Sequence, residues 1–495
     1  MTNSEMNTRL PQSECPAKEL EASSKPHLER RLGLLQVTAL NMTNMIGMGP
    51  FITIPLLMST INGGGPQCML GWLVAILITI PDGMVWAELG ASMPGTGGSY
   101  VYLREGFGRE KWGQMMAFLF IWQFMLSGPL EVSTAYIGFV QYLSFLWPNM
   151  TAWQSNLVIV GVGLFTVFLL YRKISHVGIL SVVLWVCMLL GIGAVVITGA
   201  IHFDPKIAFD FPPGAFHFSL GFFAGLGAAG RIGIFDYLGY FNVCHLGEEV
   251  KDPGKNIPRS ILISLVGVAL IYLAINLSVI GIMPWREFVP ATNPPAPVVS
   301  TLMERVHGSG AATVFTVLVL ITILASVFAI LLSYSRIPYA AATDGCFFRA
   351  FAKLHSEKHF PHLSLIFMGG MTIACAFLPL GFVVEAALST RIIVQFMGQI
   401  AAGMILRRRA PAMERPYRMW LYPLPSLVAL LGWFFVLATS GAEPLMVGLV
   451  SLALGIIGFL IWSRCSHRWP FAGEAPERVM GRDKTETVFS ECDSL

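Results

Sequence analysis

The chain has 495 residues, 55% of them hydrophobic and only 12% charged, with a formal net charge of +3. Its mean hydropathy is +0.65. Soluble globular proteins carry about 25% charged residues, so the composition excludes a soluble enzyme or binding module and points to a polytopic, all-α membrane protein. No basic block suggests nucleic acid, and the eight scattered cysteines contain no CxxC pair that would suggest a metal site or a disulfide framework.

Taken in order, the N-terminus stays polar through Arg31 and lacks the pattern of a cleavable signal peptide. Residues 1–32 and 466–495 are expected to be disordered tails. Between them, apolar runs predict twelve spans, at about 33–61, 67–92, 112–146, 154–171, 177–200, 219–246, 260–283, 311–337, 363–381, 387–406, 421–440 and 443–463. The first span contains Asn41–Ile52, NMTNMIGMGPFI, where Gly47, Gly49 and Pro50 interrupt a helix in mid-membrane. In lipid such a break is tolerated only where it is buried in protein or lines a cavity, and its freed backbone groups can then hold a ligand. The alternative is a kinked packing helix with a close-contact glycine pair.

The third span carries Glu131 just after Pro129, in QFMLSGPLEVSTAY. An intramembrane carboxylate reads as functional by default, as an ammonium ligand or a proton carrier; a structural pair with Arg231 is the competing reading. The sixth span reads GAAGRIGIFDYLGYFN over 227–242, a second glycine-interrupted segment, with Arg231 and Asp236 inside it. Asp236 could face a cavity or cap the freed N–H groups of the second half-helix. Asn41, Thr43 and Asn44 on the first span, and Gln395, Phe396 and Gln399 on the tenth, are further polar or aromatic candidates for lining. Asn149-Met150-Thr151 fits a glycosylation triplet, a common chance pattern.

Alternate loops carry 17 Lys and Arg, while the opposite loops carry 4: Lys206, Arg286, Arg305 and Arg391. The bias places both termini in the cytoplasm. Asp82, Glu88, Arg104, Glu248, Glu249, Arg336 and Asp344 fall near the cytoplasmic ends of their spans. They are expected to form a solvated surface cluster, or else an ion-pair gate.

Four stretches in order carry a resemblance: IGMGPF in span 1, AELGASMPGTGGSYVYLREGFG after span 2, EEVKDPGKNIPRSI after span 6 and SRIPYAAATDGCFFRAFAKLH after span 8. Over about residues 30–430 the chain resembles the amino acid–polyamine–organocation permeases. The resemblance implies a five-plus-five inverted repeat with helices 1 and 6 broken, followed by two extra helices. The repeats would be 33–200 and 219–406, and the last pair 421–463. It further implies that backbone N–H groups around Ile46, Gly47, Met48 and Gly49 receive a substrate carboxylate. Phe235, Tyr237 and Gly239 then match the segment that occludes the substrate and holds its amine, with Phe235 as the occluding aromatic and Asp236 between them as a further candidate. Two departures stand out. Met48 occupies a position where the family usually has Ser or Ala, and no Lys lies between Ile174 and Pro205, where many proton-coupled members have one. In lacking that Lys the chain is similar to the polyamine-uptake and L-type branches, and in the phrase IPDGMVWAELGASMPGTGG to the polyamine-uptake branch.

The expected function is alternating-access transport of an amino acid or a polyamine, driven by H+ or Na+ or by exchange. A nutrient-sensing receptor on the same fold is the alternative. An intramembrane enzyme would need clustered His, Cys or carboxylates at ligand spacing, and a channel would need a filter loop or charge rings; neither pattern is present in the sequence, and no cofactor is expected.

Overall fold

The computed structural model describes residues 30–471 apart from 48, 172, 173, 288, 290–296, 359 and 467, and only the backbone of residues 50 and 174–181. The two expected tails lie almost wholly outside the described residues, as do Met48 and the loop residues Arg172 and Lys173.

Within lipid every backbone N–H and C=O must be satisfied internally, which an uninterrupted apolar sequence achieves by becoming helix. The first apolar run forms α1 (Leu34–Ile46) and α2 (Gly49–Met58), and the second forms α3 (Leu70–Ser92). After α4 (Ser99–Phe107) come α5 (Trp112–Leu146), α6 (Ala152–Leu170), α7 (Ile174–His202) and the single turn α8 (Pro205–Ala208). The chain continues through α9 (Leu220–Tyr237), α10 (Pro253–Ile280), α11 (Val298–His307), α12 (Ser309–Tyr334) and α13 (Arg336–Thr343). It ends with α14 (His362–Cys375), α15 (Leu380–Ser389), α16 (Gly398–Arg409), α17 (Leu424–Ala438) and α18 (Ala442–Cys465). Among the described residues there is no strand, only the isolated bridges Leu32–Val250 and Thr96–Leu246.

Each apolar run read from the sequence falls on helix. Eight helical stretches among the described residues are long and apolar enough to cross a membrane, and α14 and α17 are shorter apolar helices. The windows of α5 and α12 are mostly buried, whereas few residues in those of α6 and α18 are buried. The outward side chains of α6 and α18 are large and apolar, among them Leu164, Phe168, Leu454 and Ile461. Such a face suits hydrocarbon and not water. Helices α1, α3, α9, α10 and α12 gather inside that outer layer, α3 packing on both α9 and α10 and α1 on both α10 and α12.

Three features differ from expectation. The short helices α4, α11 and α13 stand between spans. The tenth span is not one α-helix: α15 stops at Ser389, and a π-helical turn over Ile392–Met397 leads into α16. Just before that turn Arg391 points into the interior, where it is 1% exposed, so it is not a loop charge. The third feature is burial. Asp82, Glu88, Glu249 and Arg336 are all buried and do not form a solvated cluster.

Candidate functional site

The two glycine-interrupted segments lie against each other. Helix α1 stops at Ile46, and Gly47 follows with φ +31°. Helix α9 stops at Tyr237, and Gly239 follows with φ +113°. Each break leaves backbone groups without helical partners, and side chains from other segments meet several of them. The Asn41 amide donates to the Tyr240 carbonyl at 2.9 Å and accepts from the Val243 N–H at 3.1 Å. The Tyr272 hydroxyl of α10 lies between the carbonyls of Met45 and Asp236, 2.7 Å from the latter.

The glycines are required by approach as well as by backbone angle. A methyl group at Gly49 would collide with the Asp236 carboxylate, and one at Gly239 would stand 2.8 Å from Asn44 Cβ. Each break thus admits a polar side chain of the other.

Between the breaks lies a cavity of about 40 Å³, room for about three waters. Its apolar wall comes from Met45, Ala135, Phe235, Leu238 and Ile330, and its polar wall from Asn44, Glu131, Thr134, Asp236 and Ser326, with Gly47 and Gly49 completing it. All of these residues are buried.

Asp236 is 2% exposed. Its Oδ2 accepts from the Thr53 hydroxyl at 2.6 Å, while Oδ1 has no hydrogen-bond partner among the described residues. None of the ion pairs among the described residues includes Asp236. Both polar atoms of the Asn44 side chain also lack partners. Buried polar atoms are rarely left unpaired without a reason, and here two such side chains line one cavity.

Glu131 is placed differently. It forms an ion pair with Arg391, not with Arg231, and accepts from the Tyr334 hydroxyl at 2.6 Å. Arg391 Nε donates to Ser127 Oγ at 2.9 Å, and the guanidinium lies 5.5 Å from the ring centroids of Phe124 and Tyr334. Arg231 turns elsewhere, donating to the Thr439 carbonyl at 2.7 Å with Glu385 at 3.6 Å. Asp82 accepts from Trp86 Nε1 at 3.1 Å and from the Tyr240 hydroxyl, which ties α3 to the segment after the α9 break.

At the end of the bundle assigned to the cytoplasm by loop charge, Arg336 holds Glu249 through Nε at 2.8 Å and Nη2 at 3.3 Å. The backbone around Glu249 also binds the start of the chain. Arg31 N and Leu32 N donate to the Glu249 carbonyl at 3.0 Å, and Lys251 N donates to the Leu32 carbonyl at 2.8 Å. Glu88 pairs with Arg407, lies 3.6 Å from Arg415 and accepts from Met419 N at 2.8 Å. Arg104 pairs with Asp344 and Glu105. Glu248 is only partly buried and joins none of these pairs.

Of the residues the sequence singled out, Gly47, Gly49, Glu131, Phe235 and Asp236 line the cavity. Ile46, Tyr237 and Gly239 stand beside it, and Tyr237 packs edge-on against Trp72 and Tyr272. Met48 lies outside the described residues. Among the further candidates Asn44 lines the cavity and Asn41 braces the break, whereas Phe396 stacks on Trp433 and Gln399 accepts from Ser99. Sequence reasoning missed Thr53, Tyr272, Ser326, Tyr334 and Arg391. A signal existed only for Arg391, a lone arginine inside an apolar run.

A family model for amino acid permeases matches residues 32–462. The chain is similar to the serine/threonine exchanger of Bacillus subtilis, 26% identical over 441 residues, or 88% of this chain and 96% of that protein. It is 25% identical over 496 residues to the human cystine/glutamate transporter, 98% of this chain and 94% of that one. It is also 24% identical over 467 residues to the methylthioribose transporter of B. subtilis, 91% of this chain and 97% of that one.

Proposed function

The chain belongs to the amino acid permease family, and on that premise we propose that it is a secondary transporter of amino acids or related amines, working by alternating access with exchange or proton coupling. The reading places twelve helices across the cell membrane with both termini in the cytoplasm. Residues 33–200 and 219–406 form two inverted five-helix repeats, and 421–463 form the last pair. Helices α1/α2 and α9 are then the corresponding broken members.

One observation carries the reading. Two interrupted helices enclose a buried cavity with unpartnered polar atoms on Asn44 and Asp236. Broken helices around a midplane cavity suit a carrier, because half-helices can tilt against the rest of the bundle while continuous helices hold it together.

In this mechanism the backbone of Ile46, Gly47, Met48 and Gly49 and the segment Phe235–Gly239 surround the substrate. Phe235 closes over it. The ion pairs Arg336–Glu249, Glu88–Arg407 and Arg104–Asp344 close the cytoplasmic end and part when that end opens, with Glu248 beside them. Water entering the opened end solvates the separated charges, which reduces what parting them costs. With Glu131 bound to Arg391, Asp236 is the better placed of the two cavity acids to exchange a proton.

Reconstitution into proteoliposomes tests the function. Labelled amino acids and amines are offered with a pH gradient, a sodium gradient or neither. Accumulation above the passive level, or exchange against preloaded substrate, is expected. Ligand binding without movement under any gradient would sink the transport reading in favour of sensing.

A further inference from the structure

Among the described residues that line the cavity, only Glu131 and Asp236 carry ionisable side chains. The charge of Glu131 is met by Arg391, with Tyr334 donating to the carboxylate and Ser127 accepting from the guanidinium. The charge of Asp236 is met by no cation among the described residues. The walls therefore present one net negative charge, with Asp236 Oδ1 and both polar atoms of Asn44 free of protein partners. An enclosed charge of this kind calls for one cationic group in the ligand.

The position of that carboxylate excludes a second one. The first turn of α2 offers the N–H groups of Gly49 and Phe51 (Pro50 has none), and a helix start attracts an anion. Asp236 already stands against Gly49, so closely that no side chain fits there. A ligand carboxylate at the same turn would face the Asp236 carboxylate inside a buried cavity, and like charges so placed cannot both remain ionised. Arg391 offers no relief, because it does not line the cavity and is bound to Glu131. The remaining wall, Met45, Ala135, Phe235, Leu238 and Ile330, is apolar.

We infer that the ligand is an organic amine with one ammonium group, an apolar body and no free carboxylate, its ammonium held by Asp236 Oδ1 and the Asn44 side-chain carbonyl. The inference rests on the transport reading and narrows its substrate class. It also disfavours a diamine, because a second ammonium group would meet apolar wall or a carboxylate that already has its arginine.

Matched small pairs that differ only in the carboxylate provide the test: valine with isobutylamine, and serine with ethanolamine. Binding is measured by calorimetry on the purified full-length protein in detergent, with putrescine as the diamine probe. At least one amine is expected to bind tenfold or more tighter than its amino acid partner and tighter than putrescine. Asp236→Asn keeps an acceptor for Thr53 and should weaken that amine at least tenfold while narrowing its lead over the amino acid. Asn44→Ala, which leaves the charge in place, should weaken it several-fold. Amino acids binding as well as or better than every amine overturns the inference, as does Asp236→Asn binding the amine unchanged. Putrescine binding tightest overturns the single-ammonium assignment.

Counterflow in proteoliposomes separates the two claims. An amine that binds but does not exchange defeats the transport reading and leaves the ligand assignment standing. Amino acids exchanging with no amine bound does the reverse.

Discussion

Two carboxylates reach the same cavity, Glu131 from α5 and Asp236 from the end of α9, and their surroundings are opposed. Around Glu131 the charge is answered: Arg391 and Tyr334 bind the carboxylate, Ser127 accepts from the guanidinium and two aromatic rings lie beside it, with Arg391 Nη2 lacking a partner among the described residues. Around Asp236 there is one hydroxyl, from Thr53, and a cavity. The two acids are nearly equally buried, so burial alone does not separate a structural charge from a functional one. Compensation does. A buried ion pair fastens helices together, whereas a buried charge without a counter-ion is costly and persists where a ligand or proton can complete it.

The comparison breaks most directly at Arg391. Replacing it with Met leaves Glu131 buried and unpaired, which costs about 3–5 kcal/mol. The loss should appear as a large drop in the thermal unfolding temperature of the purified protein. Adding Glu131→Gln should recover much of it, since the stranded charge is then gone. A silent Arg391→Met would mean that this pair does not hold α5 to the turn before α16.

The bracing of the breaks comes next. Asn41→Ala removes both hydrogen bonds to the segment after Gly239 and leaves the Tyr240 carbonyl and the Val243 N–H without a partner. Unsatisfied buried groups cost about 1–3 kcal/mol. The loss should be accompanied by faster amide exchange over 238–246, because the braced segment opens more often. Unchanged exchange there would show that packing, and not Asn41, fixes the break.

How far the sequence alone reaches follows the same division. Long apolar runs and their interruptions are local properties, so the helices and both glycine breaks were legible from Gly47–Pro50 and from Gly227–Gly239. Partnership is not local. Arg391 lies 260 residues from Glu131 and points inward just before the π-helical turn that leads into α16; counting loop charges placed it outside. Arg231, the intramembrane arginine that the sequence offers Glu131 as a structural partner, lies on a side of α9 that faces Thr439 and Glu385. Of the two readings of the acids near the span ends, a solvated cluster or paired charges, the structure excludes the first. Glu88 and Glu249 are buried with arginines and not solvated, since burial depends on neighbours that hydropathy does not see.

A surface pair provides the scale for these effects. Arg305 and Glu287 form a two-contact ion pair in which both side chains are roughly 40% exposed, at 43% and 40%. The hydrogen bonds to Glu287 hold the Arg305 guanidinium above its usual pKa, so it stays charged at any working pH and the pair does not titrate through it. Water and salt screen it all the same. Arg305→Ala should cost no more than about 1 kcal/mol, and less as ionic strength rises. Thermal unfolding in low and high salt measures this. A loss matching that of Arg391→Met would undo the claim that burial gives the Glu131 pair its weight.

The smallest expected change in stability is at Asp236, the residue with the largest expected effect on binding. Asp236→Asn removes a buried charge that no cation among the described residues offsets, and the amide oxygen still accepts from Thr53. Nothing that holds the helices together is lost, and the cost of keeping an ionised group out of water disappears. The unfolding temperature of the ligand-free protein should therefore stay the same or rise, while amine binding falls. The two measurements made on one preparation decide between the roles. A stability loss approaching that of Arg391→Met would make Asp236 a second structural acid, held by contacts stronger than the Thr53 hydroxyl, and the contrast between the two carboxylates would collapse. Unchanged stability with lost binding is what an acid completed by its ligand requires, because its counter-charge arrives from outside the protein.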